Sequence, residues 1–171
     1  MESFPIFINL KEKPVTVIGG GDIALRKVKL LIKAGPKITV IARAVSNDLK
    51  ELLSEHNQKM IIKSFHESDL STPILIIAAT NNAKTNKRIS MYAQQNNILV
   101  NVVDQPKLCT FTMGSIVERD SLVISISSGG KAPVLVRNLR EKIETLIPQS
   151  YAELVNFSGS LRAVVKKKIQ S

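Results

Sequence analysis

The sequence predicts an α/β fold: a parallel sheet interleaved with helices, followed by a small β-rich segment and a helical tail. Three observations predict it. Strand-like and helix-like segments alternate as far as Asp104, the pattern of βαβ units. Pro73-Ile74-Leu75-Ile76-Ile77-Ala78-Ala79 is apolar at every position, as an inner strand covered on both faces must be. Gly19-Gly20-Gly21-Asp22-Ile23-Ala24 stands between the first strand and the first helix, which makes the sheet Rossmann-type.

In chain order, Pro14–Ile18 is short, β-branched and closed by glycines, a strand. Ile23 to Ala34 carries Ala24, Val28, Leu31 and Ile32 at helical spacing, and Gly35-Pro36 ends it. Lys37–Ala42 reads as a second buried strand, Asn47–His56 as a helix, and Met60–Ser64 as a short strand near an edge. After the apolar run, Thr80-Asn81-Asn82 forms a turn and helix cap. Lys84–Asn96 is a polar-faced helix and Ile98–Val103 the next strand. Beyond Asp104 no helix separates Thr110–Glu118 from Ser121–Ser127. These predict an antiparallel hairpin turning at Arg119-Asp120, outside the parallel sheet. Val134–Leu146 is a helix with Pro133 at its start, Pro148 breaks the chain, and Tyr151–Ile169 is the last helix.

The chain has 171 residues, 44% of them apolar, enough for one sizeable core and against disorder. The single cysteine, Cys109, excludes an intramolecular disulfide. With no leader-like run between Met1 and Lys13, this points to the cytoplasm. No stretch approaches the ~20 apolar residues of a membrane span. Twenty-four basic against 14 acidic residues give a net charge of +10, a field that attracts polyanions. Nucleic acid and an anionic small molecule satisfy it equally. Aromatics at 4%, without tryptophan, count against a base-stacking platform.

The glycine turn fits G-x-G-x-x-A. Gly19 permits the tight turn, Gly21 lets a pyrophosphate approach the backbone, and Ala24 lets the helix pack close. The helix N-terminus then offers free N–H groups to phosphate. The same turn without a ligand is the plainer alternative. An acid about 20 residues further on would bond the ribose of NAD, but the second strand ends in Ala42-Arg43-Ala44. Arg43 serves an adenine, a 2′-phosphate or only the solvent, so NAD and NADP both stay open. Thr80-Asn81, at the carboxyl end of the apolar strand, borders the crevice where such sheets bind ligands. Asp104 by itself reads as a turn aspartate ending a strand.

These motifs, with Pro5-x-Phe7 and Leu10, Arg26-Lys27, Ala78-Ala79-Thr80, Asn101-Val102-Val103-Asp104, and Ser127 to Pro133 followed by Arg140-Glu141-Lys142-Ile143, run from Phe4 to about Leu146. In that order the sequence resembles the precorrin-2 dehydrogenase/sirohydrochlorin ferrochelatase module of siroheme synthase. The resemblance implies oxidation of precorrin-2, a reduced tetrapyrrole polycarboxylate, to sirohydrochlorin by hydride transfer to NAD. In some members insertion of ferrous iron, a substrate, follows. It implies a homodimer in three segments: 1–113 NAD-binding, 114–147 dimerisation and 148–171 helical. It makes Asp104 the catalytic base. It implies dinucleotide contacts at Gly19, Gly20, Gly21, Asp22, Ile23, Arg43, Ala44, Thr80, Asn81 and Val102. Substrate contacts fall to Asn101, Ser127, Ser128, Gly130 and Lys131, a donor-rich loop suited to carboxylates. The sequence departs from the family at Gly129, where a serine is more usual, and at Phe111-Thr112-Met113-Gly114, where an aromatic-proline pair is more usual.

His56 and His66 have no partner at metal-ligand spacing, and no protein metal site is expected. The principal alternative function is a dinucleotide-sensing regulatory domain without chemistry; a nucleic-acid-binding module, suggested by charge alone, lacks a motif. Partners expected are therefore the tetrapyrrole and a second copy, with neither nucleic acid nor membrane. Retention of iron insertion, iron against cobalt, and whether the chain stands alone or is cut from a longer one are left open.

Overall fold

A computed structural model describes residues 3–169. Met1, Glu2, Gln170 and Ser171, which fall within the outer expected segments, lie outside the described residues. Two compact units divide the chain, the second beginning at Met113.

The first unit is the α/β sheet. β1 (Pro14–Ile18), β2 (Lys37–Ala42), β3 (Lys59–Ile62), β4 (Leu75–Ala78) and β5 (Leu99–Val102) lie in the order β3-β2-β1-β4-β5, all parallel. β1 is the central strand, the apolar β4 lies inside beside it, and β3 is an edge. α1 (Asp22–Ile32) and α2 (Asn47–Glu55) pack against each other, whereas α3 (Ala83–Gln95) packs on β4 and β5. Strand alternation sorts the core between the two faces. Ile18, Ile76, Ala78, Val100 and Val102 meet Ile89 and Ala93 of α3. Val17, Ile77 and Asn101, in register across β1, β4 and β5, take the other face. Both faces of β4 are buried, which explains its uninterrupted apolar run. Burying roughly a dozen branched side chains at about 1.5–3 kcal/mol each drives this assembly.

Most elements fall within two residues of their expected bounds. The clearest difference is the expected strand Thr110–Glu118, which begins only at Ser115. Residues before it serve another purpose: Thr110 lines the free edge of β5, its amide donating to the Val100 carbonyl (2.9 Å) and its Oγ1 accepting from the Val100 amide (2.8 Å). Already paired with β5, this stretch is not available to a hairpin.

The second unit holds β6 (Ser115–Arg119) and β7 (Leu122–Ile126), an antiparallel pair turning at Asp120-Ser121 rather than Arg119-Asp120, because Arg119 still pairs with Leu122. α4 (Pro133–Leu146) packs on both strands and α5 (Tyr151–Ile169) on β7. Arg119 is buried, and its guanidinium donates to the carbonyls of Ile147 (2.7 Å), Glu118 (2.8 Å) and Glu144 (2.9 Å). It thereby satisfies the C-terminal carbonyls that α4 leaves without an intrahelical donor. No helix among the described residues is long and apolar enough to cross a membrane.

Candidate functional site

The parallel sheet places its loops at the carboxyl ends of β1, β2, β4 and β5. The order reverses direction at β1, so the crevice opens between the β1 and β4 loops. A cleft of about 210 Å³ lies there, lined by Ile23, Ala79, Thr80, Asn81, Ala83, Asn86, Val103, Asp104 and Gln105. Ile23, Thr80, Asn81 and Asp104 are thus brought to one place from three loops far apart in sequence.

The three glycines differ in what demands them. Gly19 has φ +131°, and a Cβ there would sit 2.2 Å from the Ala79 carbonyl oxygen. A Cβ on Gly20 would sit 2.0 Å from the Ala44 carbonyl oxygen. That close approach, with the Ser46 amide donating to Gly20 O at 2.9 Å, ties the first turn to the β2 loop. Gly21 has φ −95° and a Cβ there would meet nothing within 4 Å. Protein packing therefore requires the first two glycines, while the third faces open space at the N-terminus of α1. First-turn amides there lack intrahelical acceptors and carry the positive end of the helix dipole. A dinucleotide pyrophosphate fits that cradle.

Asp22 is exposed as the first residue of α1. Arg43 is exposed, with Nε donating to Ser64 Oγ at 3.0 Å, and Ala44 contributes its carbonyl against Gly20. Thr80 is fixed from below by Asn86 of α3, which is 2% exposed. Thr80 Oγ1 donates to Asn86 Oδ1 (2.6 Å), and Asn86 Nδ2 donates to the Thr80 carbonyl (3.0 Å). Asn82 caps α3 by accepting from the Thr85 amide (2.9 Å).

Asp104 is exposed after β5 with φ +58°, a left-handed conformation that Asp adopts more readily than most residues. Val102 below it gives its side chain to the core. The Val102 amide donates to Cys109 Sγ (3.1 Å) and its carbonyl accepts from the Gln105 amide (3.2 Å), closing the Asp104 turn. Asn101 is buried, and its Nδ2 donates to the Phe111 carbonyl (3.1 Å). Lys27, half-buried on α1, is held below the ordinary lysine range, first by burial and then by Arg26. Asp104 and Cys109 pull it back up.

Ser127, Ser128, Gly130 and Lys131 belong to the second unit, in the loop from β7 to α4. Ser128 Oγ accepts from the Ala132 amide (3.0 Å), and Ser127 Oγ from the Gly129 amide (3.2 Å). Gly129 and Gly130 both have positive φ, +62° and +82°. Among the described residues no cluster of His, Cys, Asp and Glu is arranged to hold a metal ion.

Sequence reasoning missed Asn86 and Gln105, which line the cleft. Asn86 carried no signal, because a polar residue in a polar-faced helix gives no sign that it is buried. Gln105 follows Asp104 directly, and that adjacency to the expected base was a signal.

A family model described as "Putative NAD(P)-binding" matches residues 6–115, and one described as "Sirohaem biosynthesis protein central" matches residues 119–146. The chain is 48% identical over 168 residues to siroheme synthase of Vesicomyosocius okutanii, covering 98% of this chain and 36% of that protein. It is 47% identical over 171 residues to siroheme synthase of Ruthia magnifica, covering 100% and 36%. The chain thus spans about a third of the length of these curated relatives. Among solved structures, SirC, precorrin-2 dehydrogenase, is similar at TM-score 0.80 and 27% identity, over 96% of this chain and 81% of that one.

Proposed function

This chain belongs to the NAD(P)-binding family of siroheme biosynthesis, and on that premise we propose that it oxidises precorrin-2 to sirohydrochlorin with NAD as hydride acceptor. The observation that carries the proposal is the likeness to SirC, precorrin-2 dehydrogenase, over 96% of this chain. The cleft with a carboxylate at its mouth supplies the chemistry.

Bound NAD supplies the hydride acceptor. The backbone at Gly19, Gly20 and Gly21 and the first turn of α1 at Asp22 and Ile23 would hold its pyrophosphate. Arg43 and Ala44, just after β2, would hold the adenosine half. A ribose carboxylate partner is missing there, so the choice of NAD over NADP rests on the reaction class and is read by comparing the two. Thr80 and Asn81, which line the cleft, would hold the nicotinamide half, and Val102 would support this edge from the core. Oxidation removes a hydride and a proton from the tetrapyrrole, and Asp104 takes the proton on its carboxylate. Asn101, whose amide nitrogen is committed to Phe111, offers its carbonyl oxygen to a pyrrole N–H. Ser127, Ser128, Gly130 and Lys131 take substrate carboxylates through hydroxyl, backbone and ammonium donors. The net charge of +10 steers a polycarboxylate toward the protein.

Two copies form the working unit. Leu135 and Leu139 line an open groove of about 430 Å³ on α4, and Val134, Leu146, Leu154, Phe157 and Leu161 are more than half exposed. Apolar surface of that extent on α4 and α5 is what a homodimer interface covers. The segments 1–113, 114–147 and 148–171 then serve cofactor binding, dimerisation and the helical tail, in the cytoplasm. Insertion of ferrous iron as a second substrate would need the same carboxylate to accept pyrrole protons.

The test is direct. Purified protein is mixed with precorrin-2 and NAD, and NADH appearance is followed for wild type and Asp104→Asn. NADH formed by wild type and lost in the variant supports the proposal; no reduction of NAD or NADP leaves a dinucleotide-sensing domain. Siroheme formation on adding ferrous iron reads the second activity.

A further inference from the structure

We propose that Asn86 is the positioning residue for Thr80: it accepts the hydrogen bond of the Thr80 hydroxyl and so leaves Thr80 Oγ1 to the cleft as an acceptor alone, suited to the carboxamide N–H of a nicotinamide. The proposal deepens the dinucleotide reading of the cleft and rests on it.

The geometry fixes which way each hydrogen bond runs. Asn86 Nδ2 stands 3.0 Å from the Thr80 carbonyl oxygen, and Asn86 Oδ1 stands 2.6 Å from Thr80 Oγ1. A carbonyl oxygen can only accept, so the amide nitrogen must face it. The amide oxygen then faces the hydroxyl, and it too can only accept. The one proton of the Thr80 hydroxyl therefore goes to Asn86, since the competing Asn82 carbonyl lies at 3.3 Å. One lone pair of Oγ1 accepts from the Asn82 amide at 3.2 Å. A hydroxyl has two lone pairs, so one acceptor position remains and no donor.

Placement connects this polarity to a ligand. Thr80, Asn86 and Asp104 line the same cleft of about 210 Å³. A hydride acceptor working with Asp104 must put its ring there. Asn86 is 2% exposed, and its two side-chain hydrogen bonds among the described residues both end on Thr80. Burying an amide is unfavourable unless it is bonded, and here its bonds serve the orientation of one half-buried threonine. Asn86 is itself held, because its backbone amide donates to the Asn82 carbonyl (2.9 Å) in the first turn of α3. A preset acceptor selects its ligand: it takes an N–H and repels a carbonyl.

The experiment compares NAD with 3-acetylpyridine adenine dinucleotide, in which an acetyl group replaces the carboxamide. The carbonyl stays and the N–H donors go. Each is titrated against the full chain by displacement of NADH, read by fluorescence, in wild type, Thr80→Ser, Thr80→Val, Asn86→Ala and Asn86→Leu. The leucine keeps the volume of the side chain should the alanine fail to fold. NAD is expected to bind at least about fivefold more tightly than the analogue in wild type and in Thr80→Ser, the worth of one hydrogen bond. Thr80→Val has no hydroxyl, and without Asn86 the hydroxyl is free to donate to the acetyl carbonyl. In these variants the two ligands should bind within about twofold of each other. An Asn86 that serves the fold alone would weaken both ligands alike and leave their ratio unchanged, and that result overturns the proposal. An even ratio in a wild type that binds NADH overturns it while sparing the cofactor reading. A wild type that binds no dinucleotide rejects the cofactor reading and this proposal with it. The expected ratios in a protein that leaves precorrin-2 unoxidised would uphold the pairing and reject the dehydrogenase reading alone.

Discussion

Replacing Gly21 and Gly19 separately by alanine divides the demands of ligand from those of fold. At Gly19 the backbone lies at φ +131°, and a Cβ would meet the Ala79 carbonyl at 2.2 Å. Backbone strain of about 1–3 kcal/mol and forced displacement of about 1–3 kcal/mol add to a loss on the order of 3 kcal/mol. Thermal unfolding should therefore fall by on the order of 10 °C, at a few degrees per kcal/mol for a chain of this size. At Gly21 nothing lies within 4 Å and φ is ordinary. Alanine is a poorer N-cap than glycine by about 0.5–1 kcal/mol, and its stiffer unfolded chain offsets about 0.4–1 kcal/mol. Stability should stay within about 0.5 kcal/mol of wild type, by differential scanning calorimetry without ligand. Yet the methyl occupies the pyrophosphate cradle, so NADH affinity, followed by fluorescence titration, should fall at least about tenfold, or about 1.4 kcal/mol. Gly21→Ala binding NADH like wild type would refute the cradle assignment. Gly19→Ala melting like wild type would refute the packing argument.

Asp104→Asn keeps a side chain tolerant of positive φ, so its melting temperature should match wild type. Its rate of NADH formation should fall about 10²–10⁴-fold, the range of a general base; a near-normal rate would remove Asp104 from proton transfer. Arg119→Met should leave three carbonyls of the second unit without their donor and lower stability by about 3 kcal/mol, read by chemical denaturation; a cost under about 1 kcal/mol would show that water replaces the guanidinium. Asp69 titrates below its ordinary range, because Lys63 and the His66 amide hydrogen-bond to its carboxylate against the opposing effect of burial. A depressed folded-state value contributes stability above the ordinary carboxylate pKa and loses it as pH falls through the folded one. Denaturation below about pH 4 should therefore be less steep with pH in Asp69→Asn than in wild type. Leu139→Glu, in the exposed α4 groove, should shift the proposed dimer to monomer by light scattering, and a dimer that persists would place the interface elsewhere.

The α/β class was legible because its signals are local and redundant. Apolar runs such as Leu75–Ala78 need both faces covered wherever they occur, and Gly19–Ala24 marks a strand-to-helix turn through backbone sterics alone. The spacing of Asn101–Asp104 and Ser127–Pro133 carried the resemblance to the family. Tertiary structure decided what depends on which segments meet. Gly20, expected only as a dinucleotide contact, is required because the Ala44 carbonyl arrives from the β2 loop. Asn86 is buried because it holds Thr80 from beneath. Thr110 is drawn out of the expected hairpin because the free edge of β5 offers it hydrogen bonds. Ile23 and Asp104, 81 positions apart in the sequence, line one cleft only when the sheet sets the β5 loop beside the start of α1. Sequence fixes what a residue can do through its own backbone and side chain, and long-range contacts decide which of those capacities its neighbours call on.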